Sequence, residues 1–341
     1  MTSVTPWRAH CASAGASAIA SVRATFGFIW RRGEGKFSLL VLAAWIFVCL
    51  LAVFWTPQPL SQSDGYNTWA SPTPAHPMGT DGTGRDMLSW LMAGSGTELQ
   101  IVVATCLLAA LIGVLFVSFS LARSGLVSEI AVVITDTLLS IPIVLIALIL
   151  AVPLGASLLV VIVSCGLSYG LNLARIAKPA ASLAANARYS EASRAAGSSR
   201  WHIFRAHVLP NLIPVFSVQL SICAGTAILA EAGLTYLGIG VPAGTASWGA
   251  SLSSSASFIS IFPLTVVWPG ALITLVVVAL NVFGDCLRAA VDPVVNSGLR
   301  ARGSARPHAA GKVTAGRKPA GEAATDAAAS DEAVMEEEVR L

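Results

Sequence analysis

Residues 189–214, YSEASRAAGSSRWHIFRAHVLPNLIP, form a polar, basic island between two long apolar runs. The first part, 189–196, is rich in Ala and favours helix. Gly197 stands where a helix C′ residue belongs, able to take a positive φ at low cost. Ser198 or Ser199 can then cap a second short helix, SRWHIFRAHV. Pro210 fits the first turn of the apolar run that follows. The spacing predicts two short helices broken at a glycine, each tied to a long apolar segment. A stretch this polar has no reason to lie in lipid, so it belongs at a membrane surface.

The flanking runs set the class. Only 11% of the 341 residues are charged and 55% are hydrophobic, against about 25% charged in an ordinary soluble domain. A span needs about 20 apolar residues, and runs of that order lie at 37–56, 98–122, 127–152, 156–177, 208–232 and 262–285. Backbone in lipid must satisfy its own hydrogen bonds, which leaves helices or closed barrels. Continuous apolar runs, rather than strict alternation, select helices. The expected class is an all-α membrane protein with six transmembrane helices.

Basic residues orient these spans. Arg8, Arg23, Arg31, Arg32 and Lys36 precede the first run, and Arg288 with seven further Lys and Arg follow the last. Arg123 lies between the second and third runs, and Arg175, Lys178, Arg188, Arg194, Arg200 and Arg205 lie in or near the island. The loop 57–97 holds only Arg85, and 233–261 has none. With both termini inside, 20 of the 21 basic residues face the cytosol, so the island is expected there. The net charge of +3 is spread over loops facing an anionic lipid surface, and it requires no nucleic-acid partner. Residues 1–36 read as a basic cytosolic tail, because the first apolar run begins too late and is too long for a signal peptide. Residues 296–341 read as a disordered, charged cytosolic tail.

Little in the chain points to chemistry. No GxxxxGK[ST] loop is present, so no nucleotide site is expected here. No nucleophile, base and orienting group gather in one loop, and no catalysis is expected. Cys11, Cys49, Cys106, Cys165, Cys223 and Cys286 show no CxxC spacing, so neither a disulfide nor a metal site is read. His202 and His207 are too poorly spaced to share a helix face, and His76 reads as a loop histidine. Asp136 and Glu231 fall within apolar runs. Each either faces a pathway or, as expected here, lies near a surface and is hydrated. Gly166 and Gly170 make a small-residue face for packing inside the subunit. In HPMGTDGTGRDMLSWL, 76–91, Gly79, Gly82 and Gly84 allow turns and Asp81, Arg85 and Asp86 can pair locally. Leu88, Leu91 and Met92 suit a helix lying on the surface. A short re-entrant or surface helix is expected near 247–257.

In the island, Glu191, Arg194 and Arg200 offer charge, and Trp201, Ile203 and Phe204 offer apolar area. The residues alone leave two readings open: a docking helix for a cytosolic partner, or a basic interfacial loop.

The pattern Glu191-Ala192-Ser193, Gly197 and Leu209-Pro210 resembles the EAA signature of permease subunits in ABC-type importers. HPMGTDGTGRD (76–86), LGIGVPAGTASWG (237–249) and LNVFGDCLRAAVDP (280–293) resemble the dipeptide/oligopeptide/nickel permease family, in particular its C-type subunit. The likeness covers roughly 37–295. It implies the type I ABC importer permease fold: a first transmembrane helix with an extracytoplasmic loop at 37–97, a permease domain at 98–295, and a cytosolic coupling helix seated in an ATPase cleft. It assigns coupling to Glu191, Ala192, Ser193, Arg194, Gly197, Leu209 and Pro210. Implied partners are a homologous sister permease in a heterodimer, ABC ATPase subunits that bind ATP and Mg, and an extracytoplasmic substrate-binding protein, in a bacterial inner membrane. The implied task is half of a pathway for di- or oligopeptides. The same architecture can carry nickel, haem or another small solute, and the competing class is a self-sufficient channel or secondary transporter. Ser193 departs from the second alanine of the signature, His207 from its isoleucine, and the tail after Gly298 lies outside the likeness.

Overall fold

The computed structural model describes residues 26–122 and 125–291. Arg123, Cys11 and the two predicted tails, apart from residues 26–36, lie outside the described residues. Within them the regular structure is helical, with one isolated bridge between Thr80 and Asp86 and no strand. Five helices are long and apolar enough to cross a membrane, or six when one bent pair counts as a span. The class is therefore the expected all-α membrane protein.

Helix α1, Gly33–Phe54, is followed by a turn-rich segment and then α2, Met87–Ser120. At 34 residues, α2 is about 51 Å long. It absorbs the surface helix expected at Leu88–Met92. Asp86 caps it, its Oδ2 accepting the Ser89 N–H at 2.8 Å, and Leu91 and Met92 are buried within the bundle rather than laid on a surface. No break therefore separates these turns from the span.

The third run also differs from expectation. It forms two half-helices, α3 (Gly125–Leu139) and α4 (Ile143–Leu154), bent by 85°. Pro142 has no N–H to continue the ladder, and it pushes Ile141 out of the helical region. Asp136 on α3 is exposed, 3.9 Å from the Arg175 guanidinium.

Helix α5, Leu158–Ala185, packs most closely on α2. The glycines permit this approach. A Cβ on Gly166 would come within 2.7 Å of Leu108, and one on Gly170 within 2.7 Å of the Ile112 Cβ. The GLSYG face thus packs inside the subunit. Two short helices follow, α6 (Arg188–Ala195) and α7 (Arg200–Ile203), then a π-helical turn at Phe204–Val208 and α8, Leu209–Tyr236. Helix α9, Trp248–Ala256, fills the expected 247–257 position, and α10, Pro263–Val291, closes the bundle against α8 and α1.

The 55–86 segment is tied together by short-range bonds. Asp81 Oδ1 accepts from the Thr83 N–H, the Thr83 hydroxyl and the Arg85 N–H. His76 Nδ1 lies 3.0 Å from Asp86 Oδ1. Hydrogen bonds from Tyr66 and Asn67 hold the Asp64 carboxyl below the usual carboxylate range, the Asn67 side chain contributing most. The Arg85 guanidinium stacks 4.5 Å over Trp90 instead of pairing with an acid. Trp69 pins the segment to the turn between α9 and α10, stacking on Phe262 at 5.1 Å and leaning on Phe258 at 4.8 Å.

Candidate functional site

The island folds around Gly197. Its φ is +83°, and two bonds close the end of α6: Ser198 N–H to Ser193 O at 3.1 Å, and Gly197 N–H to Arg194 O at 3.0 Å. This is the six-to-one and five-to-two pattern of a glycine-terminated helix. The chain then re-enters helix at Ser199, whose Oγ accepts the His202 N–H at 3.2 Å. Ser199 takes the cap, and Ser198 closes the preceding turn.

Both short helices are anchored to spans. Ser190 Oγ donates to Ala184 O at 2.7 Å, and Arg194 donates to Ala185 O at 3.3 Å, satisfying carbonyls at the end of α5. The Tyr189 ring lies 5.4 Å from His207, and the Asn211 amide reaches its hydroxyl at 3.4 Å. Beneath, Phe204, Val208, Leu212 and Phe216 pack against Ala177, Ala181 and Ala184 of α5 and Val117 of α2.

Pro210 sits differently from the expected helix start. Helix runs without interruption from Arg200 to Tyr236, so Pro210 lies about three turns inside it. Its ring needs room near the carbonyl four residues back. The π turn accommodates the local geometry, with the Leu209 N–H reaching Phe204 O five residues back. The second short helix is thus the first turn of the span, with no loop between them.

The surface left outward is narrower than the sequence list. Glu191, Ala192, Arg194, Arg200 and Pro210 are exposed, and Ser193 and Leu209 are half-buried. Trp201 is 67% exposed, whereas Ile203 and Phe204 face the core at 4% and 8%. Of the three apolar residues read as docking area, Trp201 alone offers it. The whole forms a convex, charged knob carrying one exposed indole.

A second cluster lies at the other end of α8. Glu231, expected near a surface and hydrated, is fully buried against an equally buried Glu98. The two are 133 positions apart in the chain, and no local pattern links them.

The structure is a multi-span helical bundle whose exposed, charged knob is continuous with one of the spans. Residues 107–297 match the family described as binding-protein-dependent transport system inner membrane component. The chain is 32% identical over 263 residues to the oligopeptide transport system permease protein OppC of Bacillus subtilis (strain 168), covering 76% of this chain and 86% of that one. It is 29% identical over 269 residues to the nickel transport system permease protein NikC of Escherichia coli (strain K12), covering 78% and 96%. A third relative is the probable D,D-dipeptide transport system permease protein DdpC of the same organism, 33% identical over 222 residues, covering 65% and 74%. The chain belongs to this family: it is a multi-pass permease component of a binding-protein-dependent, ABC-type importer.

Proposed function

We propose that this chain lines half of an import pathway for di- or oligopeptides and that the 188–208 knob couples it to partner ATPases. The observation that carries the coupling is the unbroken helix from Arg200 to Tyr236. A push on α7 cannot be absorbed in a loop, because none exists. It reaches α8 directly, and through Ser190 and Arg194 it also reaches the end of α5. Glu191, Ala192, Ser193 and Arg194 present the first face to the ATPase cleft. Gly197 sets the angle to the second helix, and Leu209 and Pro210 carry the motion into the span. ATP and Mg belong to the partner subunits. Their closure on ATP moves the knob and switches access between the two sides. A sister permease supplies the other half of the pathway, and an extracytoplasmic binding protein delivers the cargo to the segments 55–86 and 237–262. On the same reading both termini and the knob face the cytosol, 37–97 comprises the first span and its outer loop, and 98–295 forms the permease domain.

Peptide cargo rests on the company the chain keeps, since two of the relatives named above are peptide permeases by description. The nickel permease among them supports the second reading. The test is reconstitution of the chain with its sister permease, ATPases and binding protein in liposomes. Uptake of a labelled peptide mixture and of ⁶³Ni²⁺ is followed with and without ATP. ATP-dependent peptide uptake is expected, nickel uptake alone would replace the cargo, and solute flux by the isolated chain would sink the importer-subunit reading.

A further inference from the structure

Glu98 on α2 and Glu231 on α8 are both 0% exposed. They lie far from the knob: Glu231 is 26 residues beyond Arg205 on one continuous helix, about 39 Å. Glu98 Oε1 accepts the Trp248 N–H at 3.2 Å. Glu231 Oε1 accepts the Thr235 hydroxyl at 2.8 Å, and that hydroxyl accepts the Val241 N–H at 3.0 Å. Both carboxyls thus meet the one turn that opens α9, Glu98 through the Trp248 N–H and Glu231 against Gly249. Each keeps one buried oxygen, Oε2, with no hydrogen-bond partner.

Ionised carboxylates only accept hydrogen bonds. Two of them buried at one turn can bond to each other only when one carries a hydrogen. Nothing nearby would let both ionise. The groups that face the pair are Thr235 from α8, Ser247, Trp248 and Gly249 at the start of α9, and the Cys165 thiol from α5. Ion pairs among the described residues lie elsewhere, at His76–Asp86 and Arg175–Asp136. Two buried carboxylates without a cation would each lose water and repel the other.

What the pair holds is also specific. Trp248 is fully buried, its indole N–H donates to Leu91 O at 3.0 Å, and its ring lies 6.0 Å from Trp45. Gly249 lies so close that a Cβ there would meet Glu231 Oε2 at 2.7 Å. The first turn of α9 therefore rests directly on the two carboxyls. We propose that Glu98 and Glu231 hold one proton between them, and that this shared proton latches α9 and the 237–247 segment onto α2 and α8. A contact that needs a bound proton weakens as pH rises. The latch does not depend on the cargo or on which ATPase drives the complex.

The test uses the full chain in lipid nanodiscs. Infrared difference spectra of wild type against the double variant Glu98→Gln, Glu231→Gln should show one carboxylic-acid C=O band belonging to the wild type. Hydrogen exchange of 247–257 is then followed over the pH range in which that band bleaches, in wild type and in Glu98→Gln, whose amide donates without a titrating proton. Exchange in the wild type should accelerate by about tenfold or more relative to the variant. Should Glu98→Gln fail to accumulate, Glu231→Gln takes its place. A difference spectrum with carboxylate bands alone overturns the proposal, and so does a bleached acid band with α9 protection unchanged.

Discussion

Replacing Gly197 isolates the geometry of the knob from its packing. The residue sits at φ +83°, and no heavy atom lies within 4 Å of where a Cβ would stand. A side chain there meets open space, so its cost is entirely that of holding an L-residue in the left-handed region. That cost is about 1–2 kcal/mol, which lowers the population of the observed turn about 5- to 30-fold. Alanine should fall at the low end and valine, branched at Cβ, at the high end or beyond. Asparagine visits this region more readily and should recover much of the loss. None of these changes touches a span, so membrane abundance should stay at the wild-type level. On the coupling reading, Gly197→Val should show weakened co-purification of the ATPases, or hydrolysis uncoupled from uptake, and loss of peptide-dependent growth. Wild-type assembly and transport by Gly197→Val would refute the coupling role. Equal damage from Ala, Asn and Val would refute the conformational argument, since it would point to lost space where the structure has room.

Glu191→Lys reverses an exposed charge on the first face of the knob, and it should weaken ATPase seating while leaving insertion intact; unchanged co-purification would remove Glu191 from the contact. Gly170→Val drives a side chain into Ile112 on α2, an overpacking that costs about 1–3 kcal/mol, and should lower the Tm of the purified subunit; an unaltered melting curve would contradict the α2–α5 packing. A cysteine at Ser71 or Ser254 should label from outside intact cells and one at Ser198 only after permeabilisation; outside labelling at Ser198 would overturn the orientation and the coupling role together.

What the sequence shows plainly here is what short-range chemistry controls. Apolar runs mark the spans, because lipid allows a helix few alternatives. Gly197 and the serines after it mark the turn, because the left-handed backbone and the cap are local requirements. The rest depends on which elements meet. Pro142 is visible in the third run, but a proline alone does not specify an 85° bend; the neighbouring helices select it. Leu88, Leu91 and Met92 look like a surface face until Trp248, far along the chain, arrives to cover part of it. Ile203 and Phe204 look as available as Trp201, and the direction in which α7 enters α8 buries them. Glu98 is the extreme case. As a lone acid at the edge of an apolar run it gives no sign of its partner, and the absence of any basic residue beside it is the one local hint that it must be neutralised by something distant.

These placements bear on how the two ends of the subunit communicate. From Arg200 to Tyr236 the chain is one helix of 37 residues, about 56 Å long. The knob occupies its first turns, and Glu231 with Thr235 occupies its last. Close-packed interiors deform little and move between discrete arrangements rather than continuously. A displacement of the knob therefore appears at the α9 contact unless something along the helix yields. The π turn at Phe204–Val208 and the prolines at 210 and 214 are where it can yield, since each interrupts the regular ladder. All three lie within the first 15 of its 37 residues, the end nearest the knob. Beyond Pro214 the path to Glu231 runs through residues packed on α2, α5 and α10, with Gly225 set against Asn281 and Ala227 and Ile228 fully buried. Compliance is thus concentrated beside the knob, and the remaining 22 residues of the helix are built to move as one piece with the carboxyl pair that meets α9.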